Sequence, residues 1–259
     1  MRPRVVFFDI GQTLATGGEL SARRLLGARL ALSEKEVKAL GRAIMTLDCR
    51  EPQELAAALE SVLPRRSPDD LRSAVEDVWK EQEASVREIP GAAKALAHLQ
   101  DMGLRLGVVS NVWHPFYEGF LRNCPEVCRL LDFFALSFRM GVKKPSVEIF
   151  QRAVAAAGAT ASECWMVGDS YELDIEPARK AGLRTLWVLH RPERENGLLA
   201  RVIRGELPPP GWAVERLSDI PHYFRGIRVP NANAPDGHDL DVRRRGASRN
   251  GVRSSTKGE

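Results

Sequence analysis

Arg4-Val5-Val6-Phe7-Phe8-Asp9-Ile10-Gly11-Gln12-Thr13 sets an unbroken apolar run against a single carboxylate, with a glycine close behind it. A run that is apolar at successive rather than alternate positions reads as a strand buried on both faces, as in parallel sheets covered by helices. Asp9 then stands at the carboxyl end of the strand, where open α/β sheets bind their ligands. Working outward, short apolar runs at Leu104–Ser110, Phe133–Ser137, Trp165–Val167 and Thr185–Leu189 read as further strands. Helical patterns lie between them. Ala92–Met102 carries Ala95, Leu96 and Leu99 on one face and stops at Gly103, while Val147–Ala157 is opened by Ser146 as N-cap and closed by Gly158. This alternation predicts an α/β fold with a right-handed, Rossmann-like parallel sheet covered on both faces.

The alternation breaks between about Leu20 and Arg87, where Ala- and Leu-rich charged segments contain no strand pattern and Pro52, Pro64 and Pro68 divide the chain. An all-helical insertion is the economical reading, with the sheet pattern resuming near Ile89-Pro90-Gly91. The expected division is a core of residues 1–15 and 89–227, a helical insertion of residues 16–88, and a basic tail of residues 228–259. The tail has few large apolar residues and is expected to be disordered. It holds seven Arg/Lys against four Asp/Glu, so of the formal charge of +4 only about +1 belongs to everything before it. A near-neutral body argues against a nucleic-acid-binding domain, which needs a clustered basic face.

With 259 residues and 44% hydrophobic content, the chain is long enough to bury a sizeable core. Cys49, Cys124, Cys128 and Cys164 lack metal-binding spacing and read as free thiols in a reducing compartment. Met-Arg-Pro-Arg ahead of Val5 is not the flank of a signal peptide, and no apolar run approaches the roughly 20 residues that span a bilayer. A cytoplasmic protein without a membrane segment is expected.

Two further strand ends carry polar groups. Val108-Val109-Ser110-Asn111 offers a hydroxyl and an amide, and Val167-Gly168-Asp169-Ser170 offers a carboxylate, with Asp174 following. Gly141-Val142-Lys143-Lys144-Pro145-Ser146 puts a lysine just before the proline and N-cap that open a helix. Ends of strands in one parallel sheet converge on one pocket. A carboxylate nucleophile, a divalent metal and a fixed ammonium are what a phosphate ester needs for attack, because charge spreads over all its peripheral oxygens.

In this order, from Arg4 to about Leu189, these segments resemble the haloacid dehalogenase-like hydrolase superfamily. The Asp9 segment is similar to its first motif, Ser110 to the second, Lys144 to the third, and Gly168-Asp169 with Asp174 to the fourth in its G-D-x-x-x-x-D form. The resemblance implies a phosphatase that uses Mg2+ and a small phosphorylated substrate. Asp9 would form an aspartyl-phosphate, Ser110 would bind a phosphoryl oxygen and Lys144 would neutralise charge. Asp9, the carbonyl of Gly11 and Asp169 would hold the ion. The helical insertion would be a mobile cap. Thr13, Asn111 and Asp174 are expected to support the site, Asp174 by orienting Lys144 or capping the next helix.

The sequence departs from that pattern at Gly11, where such phosphatases normally carry a second Asp that protonates the leaving group and then activates water. General acid–base help is typically worth about 10²- to 10⁴-fold. Slow turnover, an activated leaving group, or a replacement acid such as His114 would each follow. Trp113, Phe116 and Tyr117, near His114, are candidates for the pocket wall, with plain packing as the alternative. Two other readings stay open: a relative that only binds a phosphorylated ligand or a protein partner, and a 2-haloacid dehalogenase, although those enzymes lack the Asp that stands here as Asp169.

Overall fold

The computed structural model describes residues 3–226, and the tail of residues 228–259 lies outside them. Eight strands are present: β1 Val5–Phe8, β2 Ala15–Thr16, β3 Arg87–Glu88, β4 Arg105–Ser110, β5 Phe133–Leu136, β6 Cys164–Gly168, β7 Arg184–Val188 and β8 Trp212–Val214. Six form one parallel sheet in the order β5-β4-β1-β6-β7-β8, with Val5 opposite Arg105 on one side and Cys164 on the other. All five strands expected from the sequence are there, in an α/β core of the expected kind.

Successive side chains of β1 serve opposite faces. Val6 and Phe8 join a cluster with Leu96, Leu99, Val108, Phe120 and Val167, whereas Val5 and Phe7 join Val109, Ile149, Phe150, Ala153 and Met166 on the other side. That double burial is why β1 reads as a continuous apolar run. From β1 the chain builds outward through β4 to β5, then returns to build β6, β7 and β8 on the other side of β1. The direction reverses beside β1, which makes its carboxyl end the crevice of the sheet.

Between β2 and β3 the chain forms four helices, α1 Ala22–Arg29, α2 Glu34–Thr46, α3 Pro52–Val62 and α4 Pro68–Ser85. Their starts follow from the sequence. Ser33 and Glu36 close a capping box on α2, Pro52 takes the first turn of α3, and Ser67 caps α4 ahead of Pro68. The helices have their own core, in which Leu26, Leu40, Leu59, Leu71, Val75 and Val78 are buried, and Trp113 from beyond β4 packs into it. The chain leaves and re-enters the sheet through the antiparallel pair of β2 and β3, Ala15 opposite Glu88 and Thr16 opposite Arg87.

The remaining helices are α5 Ala92–Asp101, α6 His114–Asn123, α7 Pro125–Arg129, α8 Ser137–Met140, α9 Val147–Ala156, α10 Glu176–Lys180, α11 Pro192–Ile203 and α12 Ile220–Arg225. Ser146 caps α9 by accepting from the Glu148 amide. No helix among the described residues is long and apolar enough to cross a membrane.

Candidate active site

Asp9 follows β1 and Asp169 follows β6, two adjacent strands, so their carboxylates emerge side by side. Asp174 comes from a single π-helical turn, Tyr171–Ile175, that doubles back over the end of β6. One oxygen from each of the three lies within 4.8 Å of the others. Gly168 makes this possible, because a Cβ there would stand 2.3 Å from the Asp174 carboxylate. The Asp174 Oδ2 accepts from the Ser170 amide at 3.0 Å, which ties the turn shut.

Lys144 is 1% exposed, and its ammonium lies between two of these carboxylates. Nζ is 2.5 Å from Asp174 Oδ1 and 2.9 Å from Asp9 Oδ1. The contact with Asp9 is off the hydrogen-bonding angle, and Asp9 Oδ1 has no aligned donor. The lysine backbone is fixed independently. Asn111 at the end of β4 accepts from the Lys144 amide at 2.7 Å and donates to its carbonyl at 2.9 Å. Asn111 thus fixes the backbone of Lys144, and Asp174 both pairs with the Lys144 ammonium and closes its own turn.

The electrostatics follow from crowding. Burial pushes Asp169 up to about 7, helped by Asp9 and Asp174, while its ion pair with Arg191 pulls the other way. Burial also raises Asp174, Lys144 pulls it back, and Asp9 adds to the rise. Burial alone would lower Lys144, but Asp174 and Asp9 reverse that and keep the ammonium charged. Three carboxylates with an unaligned oxygen among them form an all-oxygen donor set, which suits a hard divalent cation better than a soft one.

Ser110 ends β4 with its hydroxyl buried and without a hydrogen-bond partner. Thr13 is also wholly buried with an unpartnered hydroxyl, so it neither orients Asp9 nor ties the turn through that group. Gly11 has open space where a Cβ would stand, and the positive φ of this loop falls on Gln12 instead. His114 does not join the site. Its ring is stacked against Trp79 and packed on Phe138, with Nε2 3.8 Å from Glu118, in a separate cavity lined by Arg50 and Arg139.

A cavity of about 450 Å³ opens beside the carboxylates. Gly11 and Asn111 border it, Trp113 and Phe116 supply an apolar wall whereas Tyr117 packs in the core instead, and Gln12, Thr16, Glu19, Gln82, Arg191 and Arg194 are among its polar groups. The two arginines escaped the sequence reading. Arg191 sits beyond the carboxyl end of β7, the same placement that drew attention to Asp9, and its Nη2 is 2.5 Å from Asp169 Oδ2. Gln82 is far away in sequence and carried no local signal.

A family model described as haloacid dehalogenase-like hydrolase matches residues 3–182. A glyceraldehyde 3-phosphate phosphatase of Pyrococcus abyssi is 38% identical over 106 residues, 40% of this chain, so the chain spans only 43% of that relative's length. Another from Methanothermobacter thermautotrophicus is 27% identical over 216 residues, 77% of this chain and 95% of the relative. Among solved structures, a HAD phosphatase from Thermococcus onnurineus superposes with a TM-score of 0.57 at 18% identity, covering 88% of this chain and all of that one. A 2-haloacid dehalogenase from Pseudomonas syringae superposes with a TM-score of 0.58 at 18% identity over 86% of this chain and 99% of that chain. These two likenesses are of fold.

Proposed function

The chain belongs to the haloacid dehalogenase-like hydrolases, and on that premise we propose that it is a magnesium-dependent phosphatase of a small phosphate ester, working through an aspartyl-phosphate on Asp9. The observation that carries the reading is the cluster itself: Asp9, Asp169 and Asp174 within 4.8 Å of one another, with the buried Lys144 ammonium against two of them. The phosphatase names of the sequence relatives support the same reaction.

Asp9 contributes a carboxylate oxygen that bonds to phosphorus as the ester P–O bond breaks, and the departing oxygen takes up a proton from solvent water, which regains one when the attacking water is deprotonated in the second step. Water then attacks the phosphorus, releasing inorganic phosphate and restoring the Asp9 carboxylate. Lys144 compensates the charge on the transferring group. The unpartnered Ser110 hydroxyl donates to a phosphoryl oxygen. Asn111 and Asp174 hold Lys144 in place. Asp9, the Gly11 carbonyl and Asp169 would hold Mg2+, which as a Lewis acid would draw charge from the phosphoryl group. The helices α1–α4, joined through the stem of β2 and β3, act as the cap that covers the site.

Hydrolysis of para-nitrophenyl phosphate with and without Mg2+ tests the reading. Asp9→Asn should reduce the rate to below roughly one per cent with the melting temperature preserved, since an amide forms no acyl-phosphate. A variant that kept more than this would remove Asp9 as nucleophile. Chloride release from a 2-haloacid would instead identify carbon–halogen hydrolysis.

A further inference from the structure

The cavity beside Gly11 is better furnished than a phosphoryl group requires. In the reading above, phosphoryl charge is met by Lys144, Ser110 and the ion. Arg191 and Arg194 stand in addition to these, on the cavity wall. They occupy the N-cap and third positions of the 12-residue α11, so the first-turn amides of that helix add a favourable field for an anion.

Each arginine has unspent donor capacity. Arg191 uses Nη2 on Asp169, but its Nε is buried with no acceptor. Arg194 makes no ion pair among the described residues, although the chain around it is rich in carboxylates. Glu195 in the same turn is committed to the Tyr171 amide at 3.2 Å. The cavity lining therefore holds two guanidinium groups against one carboxylate, Glu19.

A third observation points to a polar ligand. Gln82 on α4 is 4% exposed, and it lines the cavity. Its polar atoms are not among the buried groups left without a partner, so the amide is open to the cavity and free to meet an oxygen placed there. A volume of about 450 Å³ suits a small molecule.

We propose that the substrate is a small phosphate ester carrying a second anionic group, a carboxylate or another phosphate, which Arg191 and Arg194 bind while Gln82 meets a neighbouring oxygen. This deepens the phosphatase reading and rests on it for the position of the ester. Arg194 carries the discriminating role, because Arg191 also holds Asp169. A guanidinium facing an anion gives charge-assisted and often bidentate hydrogen bonds.

Calorimetric titration of the full chain in Mg2+ with ligands that cannot be hydrolysed separates this from the reaction. The probes are 3-phosphonopropionate and propane-1,3-diphosphonate, each with a second anion, against propylphosphonate, which has none. Both two-ended ligands should bind at least about tenfold more tightly than propylphosphonate, the lower end of what a hydrogen bond to a charged group contributes. The tighter of the two tells carboxylate from phosphate. Arg194→Gln should largely erase the preference. Equal affinity for all three probes, no measurable binding of either two-ended ligand, or a preference that survives in Arg194→Gln would each overturn the proposal. If the ligands behave as expected and no phosphate ester is turned over, the hydrolase reading fails and the anion site stands.

Discussion

At Gly11 the backbone decides what a substitution can do. A Cβ there would meet nothing within 4 Å, and the left-handed conformation of the turn is carried by Gln12 at φ 63. An aspartate at position 11 is therefore sterically free, and it would bring an acid near Asp9, where the cavity wall has none but Glu19. Gly11→Asp should keep the melting temperature of the parent and raise turnover of alkyl phosphates by roughly tenfold or more, since those leaving groups depend on protonation. Aryl phosphates should gain much less. A stable variant with no gain on any alkyl phosphate would show that another residue already supplies the proton, and His114 is excluded by its place against Trp79 and Phe138. Carboxylates at strand ends were legible in the sequence, and Asp9 and Asp169 do stand together there with the Lys144 ammonium, which comes from the loop before α9, against Asp9. Arg191 also lies past a strand end, but an arginine there is ordinary surface composition until its partner Asp169 is seen 2.5 Å away.

The spacing Gly168-Asp169-x-x-x-x-Asp174 acquires a physical meaning at the level of the element. The π-helical turn of Tyr171–Ile175 returns Asp174 to the end of β6, where only a hydrogen on Gly168 leaves room for its carboxylate. Gly168→Ala should cost about 1–3 kcal/mol in overpacking, and by displacing Asp174 it should also loosen Lys144 and lower kcat. Chemical denaturation together with steady-state kinetics checks both. A variant with parental stability and kcat would mean that the turn relaxes without cost. Elements that bury both faces, such as β1, were legible because their apolar runs have no other use. The edge strand β8 was not: it has three residues, Trp212 is 51% exposed, and Pro208-Pro209-Pro210 comes just before it. Its pairing depends on β7 rather than on its own pattern, with the Gly211 amide donating to Thr185 Oγ1 at 3.1 Å. The two-residue stem of β2 and β3 is likewise invisible in sequence, since its partners are more than 70 positions apart.

On the scale of the whole molecule, the cavity is assembled from the loop after β1, from α4, from the end of β4 and from the start of α11, and no local pattern in the chain announces such a surface. The charge balance of the site, by contrast, has a global consequence that can be measured. Asp169 is held at about 7 against an ordinary 3.8, with burial the main cause. The folded, metal-free protein therefore binds a proton more readily than the unfolded chain does. The resulting stabilisation is fully present below about pH 4 and is lost as pH rises through about 7. Asp174, also shifted upward, acts in the same direction. A divalent cation among the carboxylates would favour their ionised forms and release protons on binding, so its stabilising effect should grow with pH. Melting temperatures in chelator and in excess Mg2+, taken in parallel from pH 5 to pH 8, isolate this effect, because groups that the ion does not touch cancel in the difference. The gap between the two curves should be small at pH 5 and widen steadily to pH 8. Asp169→Asn should flatten it by removing the main titrating ligand. A gap that is constant or that narrows with pH would show that these carboxylates do not hold the ion.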